Sequence, residues 1–148
     1  MENEASTELG EPDLKIEGLR VWVHGREFPD SHDHWDGNWL NVTAHCSANG
    51  ASVFATGMII RLPELDRWRV ETERLLKTLD GEANLVCTEP KLSVNLKSAL
   101  GGHITMEVSI TPDHMVQRHW FAFYIDQTYL TPLLWQCESI LGQYPIRG

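Results

Sequence analysis

At 148 residues the chain is the length of one ordinary domain, long enough to bury a hydrophobic core and too short for two of full size. An apolar share of 42%, a charged share of 22% and six tryptophans are those of a compact folded protein, and they exclude a disordered, collagenous or low-complexity chain. The net charge of −9 comes without any cluster of Lys and Arg, which excludes a phosphate-gripping nucleic-acid surface and suits a basic protein partner.

Residues 1–13 are polar and acidic, end in Gly10-Glu11-Pro12-Asp13, and read as a disordered acidic tail ahead of a single domain over 14–148. From Leu14 the pattern has period two, with Leu19, Val21 and Val23 on one face and Arg20, Trp22 and His24 on the other, which predicts one strand. Glu27 to Asn38 contains Pro29, Gly37, four acids and only Phe28 and Trp35 as apolar residues, so it is the longest loop of the body. Trp39–Cys46 and Ala51–Arg61 alternate again around Asn49-Gly50, the residue pair that accepts positive φ in a hairpin turn.

From Pro63 the period changes. Leu65, Trp68, Thr72, Leu75 and Leu79 recur every three or four residues, Glu64 and Asp66 suit the positive end of the helix dipole, and Gly81 is the expected stop. Ala83–Thr88 and Lys91–Lys97 predict a second hairpin around Glu89-Pro90, followed by a half-buried strand with Ile104, Met106, Val108 and Ile110 inside. Arg118–Ile125 reads as an aromatic strand. A last helix starts between Thr128 and Thr131, carries Leu130, Leu134, Cys137 and Leu141 on one stripe, and ends at Gly142. Trp68, Trp120 and Trp135 are expected in or beside the core.

The fold class is therefore α+β, in the order βββαββββα: an antiparallel, meander-like β-sheet of about seven strands with two α-helices packed on it. Cys46, Cys87 and Cys137 are odd in number and set in apolar surroundings, which makes them reduced core residues. With no positively charged leader, no apolar run of membrane length and no disulfide framework, the expected location is the cytoplasm.

The densest group of polar donors is Asp30, His32, Asp33, His34 and Asp36. His32 and His34 are weak candidates for a metal, because no second ligand pair accompanies them and the calcium-loop spacing with its terminal glutamate is missing. No Gly-x-Ser-x-Gly elbow, activated cysteine context or phosphate-cradling lysine loop is present, so no catalytic residue and no cofactor is assigned. Trp35 and Trp39 flank the acidic loop, and aromatics beside carboxylates form anchors and specificity elements for Lys or Arg on a partner. Asp30, Asp33, Trp35, Asp36 and Trp39 are the candidate partner-binding residues. A hydrophobic lid, with one or both indoles tucked under the loop, is the other reading of the same pattern.

Three stretches carry a family resemblance: Trp35-Asp36-Gly37-Asn38-Trp39-Leu40-Asn41-Val42, Leu62-Pro63-Glu64-Leu65, and Phe121-x-Phe123-x-Ile125-Asp126-Gln127-Thr128-Tyr129-Leu130. Over roughly residues 16–141 the chain resembles small, mostly uncharacterised bacterial proteins, some of them labelled WapI-type immunity proteins. The resemblance implies an antiparallel sheet with two helices and, for the labelled members, neutralisation of a toxin by direct binding. Three readings remain open: a non-enzymatic binder of a basic partner, a metal- or small-molecule-binding domain, with or without enzymatic activity, that uses the His/Asp-rich loop at 30–36, or a housekeeping accessory of another partner.

Overall fold

The computed structural model of the chain describes residues 8–148. Ten regular elements follow one another: β1 (Leu14–Ile16), β2 (Leu19–Arg26), β3 (Trp39–Ala48), β4 (Ala51–Arg61), α1 (Leu62–Thr78), β5 (Glu82–Val86), β6 (Leu92–Ser98), β7 (His103–Ile110), β8 (Trp120–Asp126) and α2 (Leu130–Gln143). Four antiparallel strands and a helix thus occur twice in succession. Each strand set forms its own meander, β1-β2-β3-β4 and β5-β6-β7-β8.

The fold is α+β and antiparallel as expected, but eight strands in two sheets replace about seven in one. The extra strand arises at Glu17, whose backbone is left-handed at φ 50°. That residue and Gly18 reverse the chain, so Leu14 pairs with Val21 and Ile16 with Leu19, where the alternation alone ran straight through. Helix α1 separates the two strand sets in sequence, and β3 passes over β7 and β8, and β4 over β7, to enclose one continuous core. Helix α2 packs on α1 and along β1, and α1 packs along β5.

Local chemistry fixes the helix ends. Pro63 lies in the first turn of α1, and the Arg61 N–H donates to Glu64 Oε1 at 2.8 Å, satisfying a donor that the helix start would otherwise orphan. The other Glu64 oxygen accepts from the Thr88 N–H at 2.7 Å and hydroxyl at 2.8 Å, which ties the helix start to the end of β5. The stop comes two residues before the expected Gly81: Leu79 adopts φ 53° and its N–H returns to Leu75 O at 2.8 Å. Before α2, Asp126 Oδ1 accepts from the Thr128 N–H at 2.8 Å and from the Thr128 hydroxyl, capping the short 3-10 turn Gln127–Tyr129 that leads into the helix.

Two tryptophans depart from expectation. Trp68 is fully buried, whereas Trp120 and Trp135 lie in solvent. In β8 the inner face is filled by Phe121, Phe123 and Ile125, and on α2 by Leu130, Leu133, Leu134, Cys137 and Ile140. Trp22, on the outward face of β2, is buried instead, its indole N–H donating to Gly10 O at 2.9 Å. Of the tail expected over residues 1–13, positions 1–7 lie outside the described residues. Residues 8–13 run along β2, where the Asp13 N–H reaches Val21 O at 2.9 Å and the Asp13 carboxylate accepts from the Val23 N–H at 2.6 Å.

Outer strands of a sheet present unpaired main-chain groups, and three of the four here are occupied by side chains. Gln136 of α2 bonds both the N–H and the C=O of Lys15 on β1. Glu71 of α1 accepts from the Asn84 N–H of β5 at 2.8 Å, and Lys91 Nζ reaches Thr56 O of β4 at 3.4 Å.

Where the first hairpin meets the second sheet there is no spare room: a Cβ at Gly18 would stand 2.3 Å from Ser47 O and 2.7 Å from the Phe123 ring. Because the first of these is main chain, it cannot rotate away. Gly18→Ala is expected to lower stability by about 2 kcal/mol, seen as a lower urea midpoint with an unchanged slope. An unaltered midpoint would mean that this packing is looser than described.

Candidate functional site

The loop between β2 and β3 covers residues 27–38 and ends in a short 3-10 turn, Asp36–Asn38. It closes at its base through the Glu27 N–H, which donates to Trp39 O at 2.9 Å. Inside it, Asp33 Oδ1 accepts from the Asp36 N–H at 2.7 Å, the Gly37 N–H at 3.1 Å and the Ser31 hydroxyl at 3.3 Å. The Gly37 bond above all, with those from Asp36 and Ser31, holds the Asp33 carboxyl below its ordinary range. Gly37 is packed so closely that a Cβ would stand 2.6 Å from Ser31 O.

Three arginines grip the same loop by its carbonyls. Arg26 donates from Nη1 to Gly37 O at 2.6 Å and from Nη2 to Pro145 O. Arg147 donates from Nη1 to Pro29 O and Ser31 O, both at 2.7 Å. Arg61, only 5% exposed, donates from Nη2 to His34 O at 2.8 Å, while its guanidinium carbon lies 3.9 Å from the Trp35 ring centre and 5.9 Å from that of Trp39. A planar, permanently charged fork suits this task, since it bonds along its edge and stacks on its face.

Asn38 completes the clamp from a fully buried position. Its Nδ2 donates to His34 O at 2.6 Å and Arg147 O at 2.9 Å, and its Oδ1 accepts from the Arg147 N–H at 2.8 Å. The chain end is thereby stitched to the loop as a strand would be, with one amide serving both partners.

The structure separates the candidate residues into two sets. Asp30, Trp35 and Asp36 are exposed, Trp35 at 56%, and the Asp30 and Asp36 carboxylates have no hydrogen bond or ion pair with any described residue. Asp33 is committed to capping the loop, and Trp39, at 7% exposure, lies beneath it. His32 and His34 are exposed, and among the described residues no group of three or more His, Cys, Asp or Glu is arranged to hold a metal ion. Burial raises the Cys46 and Cys137 thiols to about 12 and pushes Cys87 upward as well, so none is a thiolate at neutral pH. The sequence reading missed Arg26, Arg61 and Arg147. An isolated cation flanking an acidic, tryptophan-bearing loop was the available signal for Arg26; Arg61, at the far end of the next hairpin, had none.

Two outcomes test this construction. Asn38→Asp removes both donors and sets a carboxylate against two carbonyls, so it is expected to cost about 2 kcal/mol and to speed hydrogen exchange at residues 31–37; unchanged exchange would mean that the clamp does not order the loop. The Asp33 cap has a definite sign with pH. Its folded pKa lies below the ordinary 3.8, so the cap's contribution is fully present above 3.8 and is lost as pH falls further, through the lower folded pKa. The Asp36 and Gly37 amide resonances are expected to hold steady from neutral pH to about 5 and to move only below the ordinary aspartate range, and Asp33→Asn should abolish that movement.

Among the described residues no helix is long and apolar enough to cross a membrane. No curated protein matches the chain. A family model, described as the immunity protein WapI-like family, matches residues 12–145, which takes in both sheets, both helices and the clamped loop. The chain belongs to the WapI-like immunity protein family.

Proposed function

We propose that the protein is a non-enzymatic cytoplasmic immunity protein that neutralises a toxin by direct binding, and that the loop at residues 27–38 is its contact surface. Family membership supports the general role. The observation that carries the site is the outward display of Trp35, Asp30 and Asp36 on a loop whose main chain is already fixed by Arg26, Arg61, Arg147 and Asn38. A surface ordered before encounter loses little conformational entropy on binding. An exposed indole with two unpaired carboxylates fits a basic partner, the indole as anchor and the acids reading Lys or Arg. Asp33 and Trp39 belong to this reading as supports of the contact residues.

The test uses the tagged protein to recover its partner from the cells that make it, followed by titration calorimetry on the purified pair. Asp30→Lys with Asp36→Lys, neither of which supports the loop through its side chain, is expected to weaken binding roughly tenfold or more and to flatten its salt dependence, with the circular dichroism unchanged. Equal affinity for both forms would remove the loop from the interface.

A further inference from the structure

The outer edge of β8 stands apart from the other three. It pairs only with β7, and no described residue hydrogen-bonds to the other side of its main chain. The Ile110 N–H donates to His119 O at 3.2 Å, which sets the antiparallel alternation: Phe121, Phe123 and Ile125 bond to β7, and Trp120, Ala122 and Tyr124 turn their N–H and C=O groups outward. The same residues carry the exposed side chains of the strand, Trp120 at 60% and Tyr124 at 86%. A bare, aromatic edge of this kind is a template for another strand.

We infer that the strand it takes is β8 of a second copy, joined antiparallel about a two-fold axis through Ala122. The order of residues is complementary to itself in that register. Ala122 falls opposite Ala122 of the second copy, Trp120 opposite Tyr124, and Arg118 opposite Asp126, each pair occurring twice as a two-fold axis requires. The small residue lies at the axis, flanked by the two aromatic pairs. Both aromatics lie on the open face of the sheet, where cross-strand aromatic pairs support one another. Arg118 is exposed and has no ion pair among the described residues, and Asp126 bonds only within its own chain, through Thr128. All three outward residues form hydrogen-bonded pairs in this register, giving about six inter-chain main-chain bonds and one continuous sheet of two four-stranded halves. A foreign strand would gain the main-chain bonds but not the reciprocal charge pairing. The surface is small, so the dimer is weak, with dissociation in roughly the micromolar range or above.

Sedimentation velocity of the full chain over a concentration series tests the inference. The wild type is expected to shift from monomer to dimer. Arg118→Glu and Asp126→Lys, each alone, place like charges opposite each other twice and should weaken self-association roughly tenfold. An equimolar mixture of the two variants should recover it, because both cross-strand pairs are then opposite in sign. Circular dichroism shows whether each variant is folded; should Asp126→Lys fail through loss of its helix cap, Ala122→Pro, which removes the central donor, replaces it and is expected to be monomeric. A wild type that stays monomeric to millimolar concentration overturns the inference, as does a dimer indifferent to these changes or a mixture that does not recover. A monomer that accepts an extended strand from another protein on β8 also overturns it and gives the edge to a foreign partner.

Discussion

A single buried guanidinium holds the candidate site to the fold. Arg61 ends β4 and starts α1, its backbone N–H satisfied by Glu64, while its side chain runs under the loop to His34 O and between the rings of Trp35 and Trp39. A cation that is 5% exposed normally needs a carboxylate partner. Here carbonyl dipoles and two indole faces take that place. The arrangement works because the loop main chain is bent so that its oxygens converge, and that bend in turn rests on the Asp33 cap and on the close packing at Gly37. Removing the charge would therefore leave His34 O to Asn38 alone and take the donor from Trp35 O, and straightening the loop would strand the charge. The two conditions sustain each other.

The same economy appears at the sheet edges. Single side chains from the helices and one loop occupy the main chain of β1, β5 and β4, and the two from the helices also bond elsewhere. Gln136 bonds Pro132 O as well as Lys15, and Glu71 lies within reach of Arg67. Two of the three occupied edges are covered from the helices, each of which lies along an outer strand, and the third from the loop between β5 and β6. Among the described residues, neither helix sends a side chain to the outer main chain of β8.

Much of this was legible in the sequence, and the parts that were not share a cause. Period-two alternation located the strands, and the change of period at Pro63 located α1, because those patterns are set by burial along a single element. The turn at Glu17 left no mark, since a non-glycine residue in the left-handed region carries no compositional signal. Division into two sheets depends on which elements pack together, and alternation within a strand is the same either way. Trp120 was misassigned because both faces of β8 are aromatic, so the pattern does not tell the inner from the outer. The acids and tryptophans of the loop stood out at once, whereas Arg147, which completes the clamp, is 109 positions from Asn38 and acquires meaning only when the chain end comes back. The distinction between Asp33 and Asp36 is likewise one of geometry, since both are aspartates of one loop.

Were the loop the contact surface proposed above, the charge around it would set how a partner is recognised. Glu27, Asp30, Asp33 and Asp36 are set against Arg26, Arg61 and Arg147, so the region is close to neutral when seen from afar. Beyond a Debye length of about 8 Å at physiological salt, such a cluster exerts little pull on an approaching cation. Long-range attraction of a basic partner would come instead from the excess acid spread over the rest of the chain. At contact the balance changes: the arginines are turned inward onto carbonyls, and the Asp30 and Asp36 carboxylates face solvent unpaired. Positive charge buried beneath and negative charge displayed above would make the proposed contact selective at short range, where placement of individual carboxylates matters. Its rigidity and its acidity thus belong to one arrangement, because the cations that fix the main chain are the ones that leave the outer carboxylates free.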